Sequence, residues 1–174
     1  MYLQPTWKRA DLTSSPANGS AEARCRTSAY LHPGQVITSA EPCEITTILG
    51  SCVSVCLWDP SLRTGGVNHY LLPWGHRHDE SSNRFGNYAI ARLMQEMIDR
   101  GSIKSNLQAK VFGGAYIFAG FKRFADHLGA NNAAVALQIL EEEGVPVVNL
   151  DIDGPKGRKL RFHTDTGDAW IRLI

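Results

Sequence analysis

The chain has 174 residues, 43% of them hydrophobic and 20% charged, with a formal net charge of +1, a composition typical of one soluble globular domain that excludes a disordered chain. No apolar run approaches the roughly 20 residues of a spanning helix, and Lys8 and Arg9 are followed by no apolar stretch, so neither membrane insertion nor a secretory leader is expected and the protein is expected in the cytoplasm. Near-neutral charge, with no basic stripe interleaved with aromatics, argues against nucleic acid as a partner.

Residues 1–28, which include Ser14-Ser15-Pro16-Ala17-Asn18-Gly19-Ser20, lack helical or strand periodicity and are expected to be a flexible tail ahead of a domain over 29–174. Residues 35–38 suggest a short strand, and from Glu44 the pattern turns strongly β through Ile45 to Leu49 and again from Cys52 to Trp58. Asp59-Pro60 to Gly65-Gly66 is turn chemistry, and Val67 to Leu72 reads as the returning strand of a hairpin, closed by Pro73. An amphipathic helix is expected over 87–99, with Ile90, Leu93, Met94, Met97 and Ile98 on its apolar face and Gly101 stopping it. A strand over 110–112 precedes Gly113-Gly114, and a second helix over 131–143 carries the apolar Val135, Leu137, Ile139 and Leu140. Strands at 145–150, 159–162 and 170–173 complete the chain, with turns at Asp153-Gly154-Pro155 and Thr166-Gly167-Asp168. Hairpins flanking two main helices favour an α+β single domain over a doubly wound parallel sheet, and no internal repeat is visible.

Four cysteines, Cys25, Cys43, Cys52 and Cys56, are expected as free thiols in a reducing compartment. Folding the hairpin about Ser61-Leu62 sets Cys52 opposite Leu71 and makes His69 a diagonal neighbour of Cys52. The two share a face in that register, and a slip by one residue separates them. A thiol of ordinary pKa near 8.5 is mostly protonated at neutral pH, so an imidazole in reach adds chemistry: it takes the thiol proton and later hands one to a leaving amine. Thr46, on the preceding strand, is within reach of the same face, and a hydroxyl can orient the ring. Gly50 and Ser51 allow a tight approach in which the amides at Ser51 or Cys52 point at a developing oxyanion. By itself, a cysteine in a valine-rich strand is more often a small buried hydrophobe, and Cys56 is assigned that role.

Leu49-Gly50-Ser51-Cys52-Val53-Ser54-Val55, then Asp59-Pro60, then Gly66-Val67-Asn68-His69-Tyr70-Leu71-Leu72-Pro73 resemble the signature of the CheD family of chemoreceptor glutamine deamidases. Lys110-Val111-Phe112-Gly113-Gly114-Ala115 and the stretch from Gly129 through Val147-Val148, Gly157-Arg158 and Thr166-Gly167 extend the resemblance from about Gln35 to the end. It implies an α/β sandwich, with Cys52 as nucleophile, His69 as base and Thr46, six positions before the cysteine, as the group orienting the histidine. It also implies a reaction without cofactor or metal: deamidation of receptor glutamines through a thioester, with hydrolysis of receptor methyl esters as a secondary activity. Implied partners are methyl-accepting chemotaxis receptors and a CheC-type phosphatase, to which the chain could instead dock as a non-catalytic module. The sequence departs from the family where an arginine-asparagine pair usually follows Gly129, here Ala130-Asn131-Asn132, and at Asp153-Gly154, where paired glycines are usual. Both departures are expected away from the triad.

His76 and His78 could begin a metal site, but without a second matched pair a solvated loop is the better reading, with lining of the substrate groove as an alternative role. Phe112-Gly113-Gly114-Ala115 lacks the lysine of a phosphate loop and reads as a tight bend beside the active site. Residues 153–158 read as a basic hairpin turn, and Glu141 to Glu143 as a solvated helix end.

Overall fold

The protein is described by a computed structural model covering residues 6–10, 26–76, 82–116 and 127–174. Among these residues, ten strands form two five-stranded sheets: β1 (Lys8–Arg9), β2 (Thr27–Tyr30), β3 (Val36–Ser39), β4 (Cys43–Leu49), β5 (Val53–Asp59), β6 (Thr64–Asn68), β7 (Gln108–Gly113), β8 (Val147–Ile152), β9 (Arg158–His163) and β10 (Ala169–Leu173). The first sheet runs β1-β10-β9-β4-β2 and the second β3-β6-β5-β7-β8. Two α-helices, α1 (Gly86–Asp99) and α2 (Leu128–Glu142), and a 3-10 turn at Lys104–Asn106 are also present.

The layers follow from the side-chain pattern of the strands. In β4, Cys43, Ile45, Thr47 and Leu49 are buried while Glu44, Thr46 and Ile48 are not, so this sheet has one apolar face. In β5 and β6 nearly every residue is buried, because the second sheet is covered on both sides. Val53, Val55 and Leu57 turn toward α1 and α2, where they meet Ile90, Leu93 and Met97 of one helix and Ala136 and Leu140 of the other. Cys56 and Val67 turn the other way, into a core between the sheets with Ile45, Leu49, Leu160 and Phe162. Helix α1 packs on β3, β5 and β6, and α2 on β5, β7 and β8, so the architecture is sheet on sheet on helices, an α+β single domain.

Both helices start earlier than periodicity implies. For α2 the reason is local: His127 Nδ1 accepts the Ala130 N–H at 3.1 Å, a cap outside the usual Ser, Thr, Asp and Asn set. The flexible tail expected over 1–28 does not hold for the described part of that stretch. Lys8 and Arg9 pair with Ile171 and Trp170, and the Trp7 ring lies 4.3 Å under the Arg161 guanidinium. Thr27 begins β2, which runs parallel to β4. Residues 1–5 and 11–25 lie outside the described residues. The strand expected to run to Leu72 stops at Asn68, and beyond it Tyr70 makes an isolated bridge with Val53. The turn at Asp153-Gly154-Pro155 closes no hairpin, because β8 and β9 belong to different sheets and the chain crosses between layers there. No helix among the described residues is long and apolar enough to cross a membrane.

Candidate active site

Strand β4 belongs to the first sheet and β5 to the second, so Gly50, Ser51 and Cys52 carry the chain across one end of the sandwich. The β5–β6 register pairs Cys56 with Val67. It extends to Val53 and Tyr70, whose backbones exchange hydrogen bonds of 3.2 and 3.1 Å. One step further, Cys52 stands opposite Leu71 and diagonal to His69, the register expected from the sequence. Both side chains have the parity of Cys56 and face the space between the sheets. Cys52 is half-buried against the inter-sheet core, and His69 is 2% exposed.

The imidazole is held from several sides. Its backbone N–H donates to the Gln35 carbonyl at 3.0 Å, and its carbonyl accepts the Gly34 N–H at 2.7 Å. Thr47 Oγ1 lies 2.9 Å from Nδ1 and donates its single proton to the Leu31 carbonyl at 2.8 Å. Both contacts coexist only if Nδ1 carries a hydrogen and donates it to Thr47, which leaves Nε2 with a free lone pair. Nε2 is buried and has no hydrogen-bond partner among the described residues. Burial lowers the His69 pKa from 6.5 to about 4, opposed by the Leu31 carbonyl and reinforced by the charge of His32. Burial also pushes the Cys52 thiol up, partly offset by its own backbone N–H. The resting pair is therefore a neutral thiol and a neutral imidazole.

The hydroxyl that meets His69 belongs to Thr47, which corrects the expectation of Thr46. The reason is the period of two along β4. Ile45 and Leu49 anchor the inner face, Thr47 lies between them at 1% exposure, and Thr46 points to the other side of the sheet. That alternation is legible in the sequence and identifies Thr47.

The crossing segment is clamped by the bend after β7 and by α2, and Arg158 of β9 braces that bend. Gly114 N–H donates to the Cys52 carbonyl at 2.9 Å and Ala115 N–H to the Gly50 carbonyl at 2.8 Å. Gly113 has φ +117°, and a Cβ there would sit 2.2 Å from the Cys52 carbonyl oxygen, so the expected tight bend is present. From α2, the fully buried Asn132 donates to the carbonyls of Ser51 and Leu71, both at 2.9 Å, and its own carbonyl accepts the Tyr70 hydroxyl at 2.6 Å. From β9, Arg158 donates to the Gly113 carbonyl at 2.9 Å, pairs with Asp151 at 2.7 Å and also donates to the Asp153 carbonyl. The segments around 130–132 and 153–158, expected away from the triad, make no recorded hydrogen bond to Cys52, His69 or Thr47, but they hold the residues beside Cys52: Asn132 bonds Ser51 and Arg158 bonds Gly113. Each carries a signal in the sequence: a polar residue in phase with an apolar stripe. Asn132 is in phase with Val135, Ala136 and Ile139, and Arg158 with Leu160 and Phe162.

Cys43, Cys52 and Cys56 are in no disulfide among the described residues, and Cys25 lies outside them. The His76 carbonyl accepts from the Tyr88 hydroxyl at 3.1 Å, while His78 lies outside the described residues. Among the described residues no group of three or more His, Cys, Asp or Glu side chains is placed to hold a metal ion.

The fold and site define a sheet-sheet-helix domain that presents a half-buried thiol and an oriented, neutral imidazole on one strand pair, a layout suited to nucleophilic thiol chemistry. The chain belongs to the CheD family: the family described as CheD chemotactic sensory transduction matches residues 71–173. It is 48% identical over 149 residues to the "Probable chemoreceptor glutamine deamidase CheD 1" of Anaeromyxobacter dehalogenans, covering 86% of each chain. It is 41% identical over 154 residues to the "Probable chemoreceptor glutamine deamidase CheD" of Stenotrophomonas maltophilia strain R551-3, covering 88% of this chain and 77% of that one.

Proposed function

We propose that this protein deamidates glutamine side chains of chemoreceptors, with Cys52 as nucleophile, His69 as general base and acid, and Thr47 as the group that orients His69. The observation that carries the reading is the relay from the Leu31 carbonyl through Thr47 to His69 Nδ1, which leaves the Nε2 lone pair free on the face that Cys52 shares. The relatives' names support the substrate class.

With a neutral pair at rest, proton transfer from Sγ to Nε2 accompanies attack of Sγ on the carboxamide carbon, rather than preceding it. The tetrahedral oxyanion collapses as the imidazolium returns its proton to the departing nitrogen, so ammonia leaves and a thioester remains. Water, deprotonated by His69, then attacks the thioester; the products are glutamate and the free thiol. A receptor methyl ester enters the same thioester with methanol as leaving group, which makes esterase activity a secondary reaction of the same site.

Purified protein incubated with a chemoreceptor cytoplasmic fragment is expected to produce the small mass gain of exchanging an amide NH2 for OH on particular glutamine peptides, and Cys52→Ala or His69→Ala is expected to abolish it. Absence of any gain on every chemoreceptor of the same cell overturns the proposal. Full restoration of chemotaxis by Cys52→Ala in a deletion strain would instead favour a docking module, acting on receptors or on a CheC-type phosphatase.

A further inference from the structure

We propose that Asn132 is a positioning residue for this reaction, one that turns the Ser51–Cys52 peptide so that the Cys52 N–H serves as an oxyanion donor. The inference rests on Cys52 being the nucleophile. Both Asn132 contacts are to carbonyl oxygens, so only the amide NH2 satisfies them and the orientation of the side chain is unambiguous. Its Oδ1 is buried with no partner among the described residues, so the side chain's polar contacts there are its two donations.

The consequence follows from peptide planarity. In a trans peptide the C=O and the next N–H point in opposite directions. The Ser51 carbonyl is drawn toward α2, on the helix side of the second sheet. The Cys52 N–H therefore points to the inter-sheet side, where the side chains of Cys52 and His69 lie. No backbone carbonyl among the described residues accepts that N–H. A free amide beside Sγ is where the oxygen of an attacked carboxamide acquires its charge.

The second donation, to Leu71, does a related job. Leu71 stands opposite Cys52 in the register, so one side chain ties the crossing segment to the strand extension that carries His69. Asn132 is thereby connected to both reacting groups while touching neither. The Tyr70 hydroxyl, donating to the Asn132 carbonyl at 2.6 Å, holds α2 at that height.

The test separates oxyanion stabilisation from thiol activation. Deamidation passes through an oxyanion, whereas alkylation of Cys52 by iodoacetamide requires only the thiolate. Asn132→Ala is expected to lower kcat for receptor deamidation on the order of 100-fold with KM unchanged, while the Cys52 alkylation rate, read by peptide mass, stays within about threefold of wild type. Asn132→Ser, whose hydroxyl reaches one carbonyl at most, is expected to fall between, and urea unfolding of each variant shows that it folds. Deamidation left at the wild-type rate overturns the proposal, as does alkylation falling in parallel with deamidation. Failure of both variants to fold also overturns it, since Asn132 would then be a structural tie. Cys52→Ala, run alongside, separates the two readings: activity surviving in it overturns the cysteine mechanism, whereas an inactive Cys52→Ala beside a fully active Asn132→Ala overturns the Asn132 assignment alone.

Discussion

Thr46 and Thr47 are chemically identical neighbours on β4, and only the side of the strand distinguishes them. Thr47 shares the buried face with Ile45 and Leu49 and bonds both the Leu31 carbonyl and His69 Nδ1, whereas Thr46 is part of the outer face, where it pairs in register with Arg161. Replacing Thr47 by valine removes both bonds while keeping the shape, so the imidazole loses its fixed tautomer and orientation. Thr47→Val is expected to lower kcat by about 100-fold, the scale of losing an aligned general base. Thr47→Ser, which keeps the hydroxyl, and Thr46→Val are each expected to stay within about threefold of wild type. Deamidation kinetics of the three variants check this, and equal losses for Thr46→Val and Thr47→Val would contradict the assignment.

At the scale of elements, the nucleophile sits on a crossing segment rather than inside a strand. The segment keeps its shape because α2 and the bend after β7 approach it closely, and Arg158 of β9 braces that bend. Gly113 is the tightest of these approaches, with positive φ and with the Cys52 carbonyl where a side chain would begin. At the same junction a Cβ on Gly129 of α2 would lie 2.3 Å from the Gly114 carbonyl oxygen, so the first turn of the helix rests on the β7 bend. Gly113→Ala combines backbone strain with a steric conflict and is expected to lower the unfolding free energy by about 2 kcal/mol or more. Denaturant unfolding measures this. A change below about 0.5 kcal/mol would mean that β7 does not approach Cys52 so closely.

At the scale of the whole molecule, the site stores a pH dependence. His69 is buried neutral, with a folded pKa of about 4 against 6.5 when unfolded. Between those values the unfolded chain binds a proton that the native state does not, so stability falls as pH falls through that window and levels off below it. The contribution is fully present above pH 6.5 and amounts to about 3 kcal/mol. Urea unfolding of wild type and His69→Gln from pH 7.5 to 4 is expected to show the wild type losing about that much more than the variant. Parallel curves would show that His69 does not stay neutral in the fold. The acid side of the activity profile is set by the same burial, because a base that remains unprotonated down to about pH 4 is available throughout the neutral range.

The sequence by itself determined the two helices, most of the strands, the β5–β6 register and with it the common face of Cys52 and His69. Each of these is a local matter of periodicity and turn chemistry, and hydrophobic period and hairpin length carry that information along the chain. The Gly113-Gly114 bend was legible for the same reason. The two-residue β1, the parallel pairing of β2 with β4 and the crossing of the chain at 50–52 and 153–158 were decided by tertiary structure. Their energy comes from partners distant in sequence, which no local pattern reports. The clamps followed the same division: the phases of Thr47, Asn132 and Arg158 were written in the chain as polar residues on apolar faces. Which carbonyls they meet depended on how two sheets and a helix converge on one end of the sandwich.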